Sequence, residues 1–126
     1  MRKTISIVTP CYNEEASIRE CHESIKRIMD TELPGYGREH IFCDNASSDG
    51  TLDVLRDIAS ADPGVKVIVN SRNFGILKNT YNGVLAATGD AVILFMPVDL
   101  QDPPELIPVF VRHWEAGAEI VYGIRA

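Results

Sequence analysis

Apolar residues gather in five short runs, TISIV (4–8), HIFC (40–43), VKVIV (65–69), AVILF (91–95) and EIVY (119–122), separated by stretches where they recur every three or four positions. Nearly continuous apolar runs predict strands covered on both faces, as in a parallel sheet. Between the first two runs, Ile18, Cys21, Ile25, Ile28 and Met29 fall on one side of a helix. Leu52, Leu55, Ile58 and Ala59 repeat the pattern, as do Leu77, Tyr81, Val84, Leu85 and Thr88, after which Gly89 is expected to cap the helix. A last helix should carry Leu106, Phe110 and Trp114 toward the sheet. Pro108 has no N–H and is tolerated only in a first turn, which sets that helix's start near Glu105.

Strand and helix alternate throughout, so the expected architecture is one α/β domain over 1–126, with a mostly parallel sheet of about five strands, right-handed crossovers and helices on both faces. Ligands of such sheets bind beyond the carboxyl ends of the strands. The segments there are PCYNEE, DNASSDGT, NSRNFG, PVDLQDPP and GIRA, all polar and expected to converge on one edge.

With 126 residues, 45% apolar and 24% charged, the chain suits a single soluble core. Its net charge of −6 disfavours nucleic acid as a partner, because a grip on a phosphate backbone needs clustered Lys and Arg. A small anionic ligand stays admissible if a divalent cation or helix N-termini meet its phosphates. Cys11, Cys21 and Cys43 show no CxxC spacing, which argues for free thiols in a reducing compartment, the cytosol by default. The basic N-terminus is followed by too short an apolar run for a signal sequence, and no stretch approaches the roughly 20 apolar residues of a membrane span.

Two common α/β ligand sites are disfavoured. TPCYNEE has no glycine after the first strand, so a dinucleotide pyrophosphate has no backbone to approach there. A phosphorylated receiver domain needs an aspartate after the third strand, where this chain has Asn70.

The segments TPCYNEE, CDNASSDGT, SRNFG and VDLQDPPE together resemble the family-2 glycosyltransferases of GT-A fold, specifically the polyprenyl-phosphate sugar transferases related to dolichyl-phosphate mannose synthase. The likeness runs in order from about Thr4 to Arg125. It implies a Rossmann-like nucleotide-diphospho-sugar fold in which Pro10, Tyr12, Asn13 and Glu14 embrace the nucleoside, Tyr12 lying against the base and Glu14 accepting from ribose hydroxyls. Asp44 and Asn45 then stand where the family carries two acids that read a base edge. Asn45 departs from that pattern, since an amide donates as well as accepts. Arg72 and Asn73 match the loop near the nucleotide, with Gly75 as a permissive turn.

The family's Asp-x-Asp falls on Pro97 and Asp99. The resemblance makes Asp99 and Gln101 ligands of Mg²⁺ or Mn²⁺ on the donor diphosphate, with the first acid lost. Asp102 and the prolines after it would turn the chain into the last helix. Arg125 matches an arginine that contacts an acceptor phosphate, and such an anionic acceptor has little need of a general base.

Each residue also has a plainer reading. Glu15 suits a helix start, Ser48 and Asp49 a turn and helix cap, Arg72 a surface charge, and His113 an ordinary helix position. The resulting expectation is a nucleotide-sugar-binding domain of an inverting glycosyltransferase, with a polyprenyl-phosphate or glycan acceptor, in a group whose longer members often sit at the cytoplasmic membrane face. An uncovered sheet edge would allow self-association. Asn45 and Pro97 favour the alternative of a nucleotide-binding module or truncated pseudoenzyme without transfer.

Overall fold

The apolar run beginning at Thr4 becomes the central strand. The computed structural model describes residues 2–95 and 103–120. It contains β1 (Thr4–Cys11), α1 (Ile18–Glu32), β2 (Gly37–Asp44), α2 (Thr51–Ala61), β3 (Val65–Val69), α3 (Ile76–Ala86), β4 (Ala91–Leu94) and α4 (Leu106–Glu115). The strands lie in the order β3-β2-β1-β4, all parallel, with Val8 opposite both Ile41 and Leu94. β1 and β2 run further than their apolar cores suggest, ending at Cys11 and Asp44. Pro10 therefore sits inside a strand, which its missing N–H permits for a geometric reason. Val8 O faces β4 and Cys11 O faces β2, so the Pro10 nitrogen points to the β4 side, past the last β4 pair.

Among the described residues the expected fifth strand is not found, and the sheet has four strands. Glu119 and Ile120 follow α4 without strand conformation, and the rest of EIVY lies outside the described residues. Ile120 is 71% exposed. An apolar run signals a preference for the interior, but a strand also needs a ladder partner, which sequence periodicity does not identify.

One face of the sheet packs Ile5, Ile7, Phe42 and Val65 against Ile18 and Ile25 of α1, Leu55 of α2, and Ile107 and Val111 of α4. The other packs Val8, Ile41 and Cys43 with Ile68 and Ala87, under α3. For α1 the expected stripe is the packed one; in α2 Leu55, Ile58 and Ala59 pack as expected, with Thr51 and Val54 beside them in place of Leu52. In α4 the start at Leu106 and the place of Pro108 in the first turn agree with expectation, but the fully buried residues are Ile107, Pro108 and Val111, one position on from Leu106 and Phe110.

The stripe expected to bury α3 faces the wrong way. Leu77, Tyr81 and Leu85 are 84%, 62% and 65% exposed, while Asn79 and Gly83 are buried. The reason is close approach. A Cβ on Gly83 would lie 2.5 Å from Cys43 Sγ and from Val8 Cγ1, so the helix backbone rests directly on the sheet. Asn79 offsets its burial by donating to Cys43 O at 2.9 Å and accepting from Asn70 Nδ2 at 2.8 Å. Gly89 also has a role other than the expected cap. The helix ends at Ala86, and a Cβ on Gly89 would meet Ser6 N and Thr4 O at 2.8 Å, so glycine allows the α3–β4 turn to touch β1.

Two buried carboxylates tie these elements together. Glu39 accepts from Ser6 Oγ, from the N–H and hydroxyl of Thr88, and from Lys66. Asp62 accepts from Arg38 and Gly64 N and is joined to His22, with His40 and Thr9 sharing a hydrogen bond nearby.

Candidate functional site

The parallel order brings the loops after β1, β2 and β3 to one edge, and their side chains are largely spent on holding one another. Asn13 has φ 52, a left-handed conformation that asparagine tolerates better than most residues. Its N–H donates to Ser47 Oγ at 2.9 Å, and its Oδ1 accepts from Ser48 N at 2.8 Å and Asp49 N at 3.3 Å. Glu15 Oε1 accepts from Gly50 N at 3.1 Å, and Glu14 N donates to Thr51 Oγ1 at 2.8 Å. Glu15 thus serves the turn before α2, where Gly50 N is open, rather than the start of its own helix, while Glu14 O accepts from Ser17 N and Ile18 N at the start of α1. Asp49 Oδ1 adds a bond from Thr51 N at 2.9 Å, in accord with the turn-and-cap reading. Hydrogen bonding from Thr51 holds the Asp49 carboxyl below the usual range.

Asp44 is 1% exposed and receives both the Ser47 hydroxyl, at 2.6 Å, and its N–H, at 3.3 Å. Beyond β3 the loop is governed by amides. Asn45 Oδ1 accepts from Asn70 Nδ2 at 3.1 Å and Phe74 N at 2.9 Å, and its Nδ2 donates to Asn73 Oδ1 at 2.9 Å. Asn73 Oδ1 also accepts from Gly75 N at 2.8 Å, with Gly75 at φ 84 as the permissive turn. Arg72 lies over the Phe74 ring, its Cζ 4.9 Å from the centroid.

Between these loops opens a cleft lined by Pro10, Cys11, Tyr12 and Glu14 from the end of β1 and its loop, Asn45 after β2, and Ile76 and Asn79 from α3. Tyr12 stands half exposed, and Ser17 Oγ donates to Glu14 Oε2 at 3.2 Å. Burial, reinforced by Cys21, Cys43, Asp44 and Glu14, pushes the Cys11 thiol well up, so it meets the cleft as a neutral, weakly polar group. The cleft offers a flat ring, a carboxylate and mostly apolar walls, its two asparagines being turned to partners of their own, a setting suited to a flat heterocycle.

Of the residues singled out in the sequence, Pro10, Tyr12, Glu14 and Asn45 line this cleft. Asn13, Asp44 and Asn73 hold loops beside it, and Arg72 rides on the third loop. Cys11, Ile76 and Asn79 were not anticipated. The four-residue spacing of Asn79 and Gly83 was the available signal, a second and narrower stripe competing with the leucines. Asp99, Gln101 and Arg125, with Pro97 and Asp102, lie outside the described residues. Among the described residues, no group of three or more His, Cys, Asp or Glu side chains is placed to hold a metal ion, and no helix is long and apolar enough to cross a membrane.

The sequence profile of Glycosyl transferase family 2 matches residues 6–126. An uncharacterized glycosyltransferase of Bacillus subtilis (strain 168) is 41% identical over 120 residues, covering 95% of this chain and 36% of the relative. The bactoprenol glucosyl transferase of Shigella phage SfV is 38% identical over 122 residues, covering 97% and 39%. The chain therefore spans well under half the length of these relatives. Among solved structures, the glucosyl-3-phosphoglycerate synthase of Mycobacterium tuberculosis, in complex with Mn²⁺, UDP and glucosyl-3-phosphoglycerate, superposes with a TM-score of 0.61 at 32% identity, covering 87% of this chain and 37% of that one.

Proposed function

The chain belongs to Glycosyl transferase family 2, and from that membership we propose that residues 1–126 are the donor-binding part of an inverting glycosyltransferase that moves a sugar from a nucleoside diphosphate to a polyprenyl phosphate. The observation that carries the proposal is the cleft where Tyr12, Glu14 and Asn45 meet at the carboxyl edge of the sheet, the place where open α/β sheets take their ligands. The names of the relatives support the acceptor class, and the nucleotide in the related synthase supports the donor class.

In this reading the Tyr12 ring lies against the base, Glu14 accepts from ribose hydroxyls, and Arg72 meets the diphosphate. Asp99 and Gln101 supply oxygen ligands, the donor chemistry that Mg²⁺ and Mn²⁺ prefer, and Arg125 contacts the acceptor phosphate. The cation, when bound, neutralises charge on the departing diphosphate. The work left to the chain is positioning. An acceptor phosphate is already an anion and needs no base to activate it, so the chain must hold it in line with the sugar and keep water away.

A second reading, favoured by Asn45 and Pro97 at positions where the family pattern has acids, is a module that binds nucleotide without transfer. Calorimetric titration with UDP and GDP, with and without Mn²⁺, followed by incubation of the tighter donor with polyprenyl phosphate, separates the two. Metal-dependent binding with sugar transfer supports the enzyme. Binding without transfer supports the module, and no binding of either nucleotide rejects both.

A further inference from the structure

Four asparagines, Asn79, Asn70, Asn45 and Asn73, form a continuous amide relay from the end of β2 to the start of α3. Its polarity is dictated by backbone groups that have only one role each. Cys43 O only accepts, so Asn79 must turn Nδ2 to it and leave Oδ1 for Asn70 Nδ2. Phe74 N and Gly75 N only donate, so Asn45 and Asn73 must each turn Oδ1 toward them. The remaining links, Asn70 Nδ2 to Asn45 Oδ1 and Asn45 Nδ2 to Asn73 Oδ1, then follow without conflict.

This accounting limits what Asn45 can offer a ligand. An amide oxygen accepts two hydrogen bonds, and both places on Asn45 are filled. The N–H on the pairing edge of uracil or guanine needs an acceptor, and the Asn45 side chain has none to spare; all it has left is the second Nδ2 hydrogen, on a residue only 4% exposed. A carboxylate at position 45 would keep both accepted bonds and lose the donated one, facing Asn73 Oδ1 with a second acceptor. What Asn45 does hold is the backbone of Phe74, and the Phe74 ring carries the Arg72 guanidinium.

We infer that Asn45 is a positioning residue for the donor diphosphate rather than a reader of the base: through the relay it fixes Phe74, and through Phe74 it places Arg72. The inference rests on the donor-binding reading of the cleft. It assigns the position where the family pattern has a base-reading acid to holding a cation-bearing loop. In a chain of net charge −6, a guanidinium at the nucleotide edge is of use only if it is held there.

The test compares wild type, Asn45→Ala, Arg72→Ala and the double variant, each titrated with whichever of UDP and GDP binds more tightly and with the corresponding nucleoside. Asn45→Ala is expected to weaken the diphosphate about tenfold, to leave nucleoside affinity within about twofold, and to add nothing to Arg72→Ala in the double variant. Equal losses for nucleoside and diphosphate, or multiplying losses in the double variant, would make Asn45 a base reader and overturn the inference.

Amide hydrogen exchange without ligand supplies a readout independent of nucleotide binding. Phe74 N–H should exchange faster in Asn45→Ala, regain protection in Asn45→Asp, which still accepts, and leave β1 and β2 amides unchanged. Unaltered Phe74 protection in Asn45→Ala overturns the relay. Failure of wild type to bind either nucleotide rejects the donor-binding reading, and the exchange data then decide alone whether Asn45 holds the loop.

Discussion

Glu39 on β2 receives both the N–H and the hydroxyl of Thr88, at 2.8 and 2.7 Å, from 49 residues further along the chain. With Ser6 and Lys66 completing its shell, this one buried carboxylate ties β1, β2, β3 and the α3–β4 turn together at the amino end of the sheet, opposite the cleft.

Acid sensitivity follows from that shell. Burial alone would raise the Glu39 carboxyl, but hydrogen bonds from Lys66, Thr88 and Ser6 outweigh it and bring the pKa from 4.5 to about 2. A depressed folded-state pKa contributes stability that is complete above about pH 4.5 and is lost as pH falls through about 2, a span worth roughly 3 kcal/mol. Urea unfolding between pH 7 and pH 2 should show this decline. Glu39→Gln should lower stability at pH 7 by roughly 1–3 kcal/mol and flatten the curve below pH 4.5, with Asp62 keeping part of the slope. An unchanged slope in that variant would contradict the account.

Gly83→Ala is expected to destabilise the fold by about 1–3 kcal/mol, the reverse of the usual gain of about 1 kcal/mol for this change inside a helix. The added methyl would overlap Cys43 Sγ and Val8 Cγ1, both in the interior, so α3 must lift from the sheet. Equilibrium unfolding of the variant decides the sign.

The exposed stripe of α3 provides a complementary measurement. Leu85→Glu should change stability by less than about 0.5 kcal/mol, as surface substitutions do, whereas a core leucine would cost several times that. A large loss would mean that α3 packs through its leucines, as periodicity alone predicted.

β1 and β2 were legible because residues buried on both faces leave continuous apolar runs, whereas β3 and β4 kept such runs with Val69, Val92 and Leu94 exposed. α1 and most of α2 were legible because their apolar stripes are also their packed ones. α3 was misread because its contact with the sheet is made by the residues that leave least trace in a hydropathy pattern, a glycine with no side chain and an asparagine whose polarity is satisfied only in place. Hydrophobic period gives the existence of a helix. Which side it buries depends on how near its axis comes to the strands.

At the cleft the same division holds. By itself the amino-acid sequence determined which polar segments stand near the strand ends, and the family resemblance singled out Pro10, Tyr12, Glu14 and Asn45 within them, although Pro10 falls inside β1. Only the tertiary structure decided what each polar group is free to do. Asn13 and Asp49 are 36 positions apart and Asn45 and Phe74 are 29, and a hydrogen bond between them exists only once the sheet has brought the loops together.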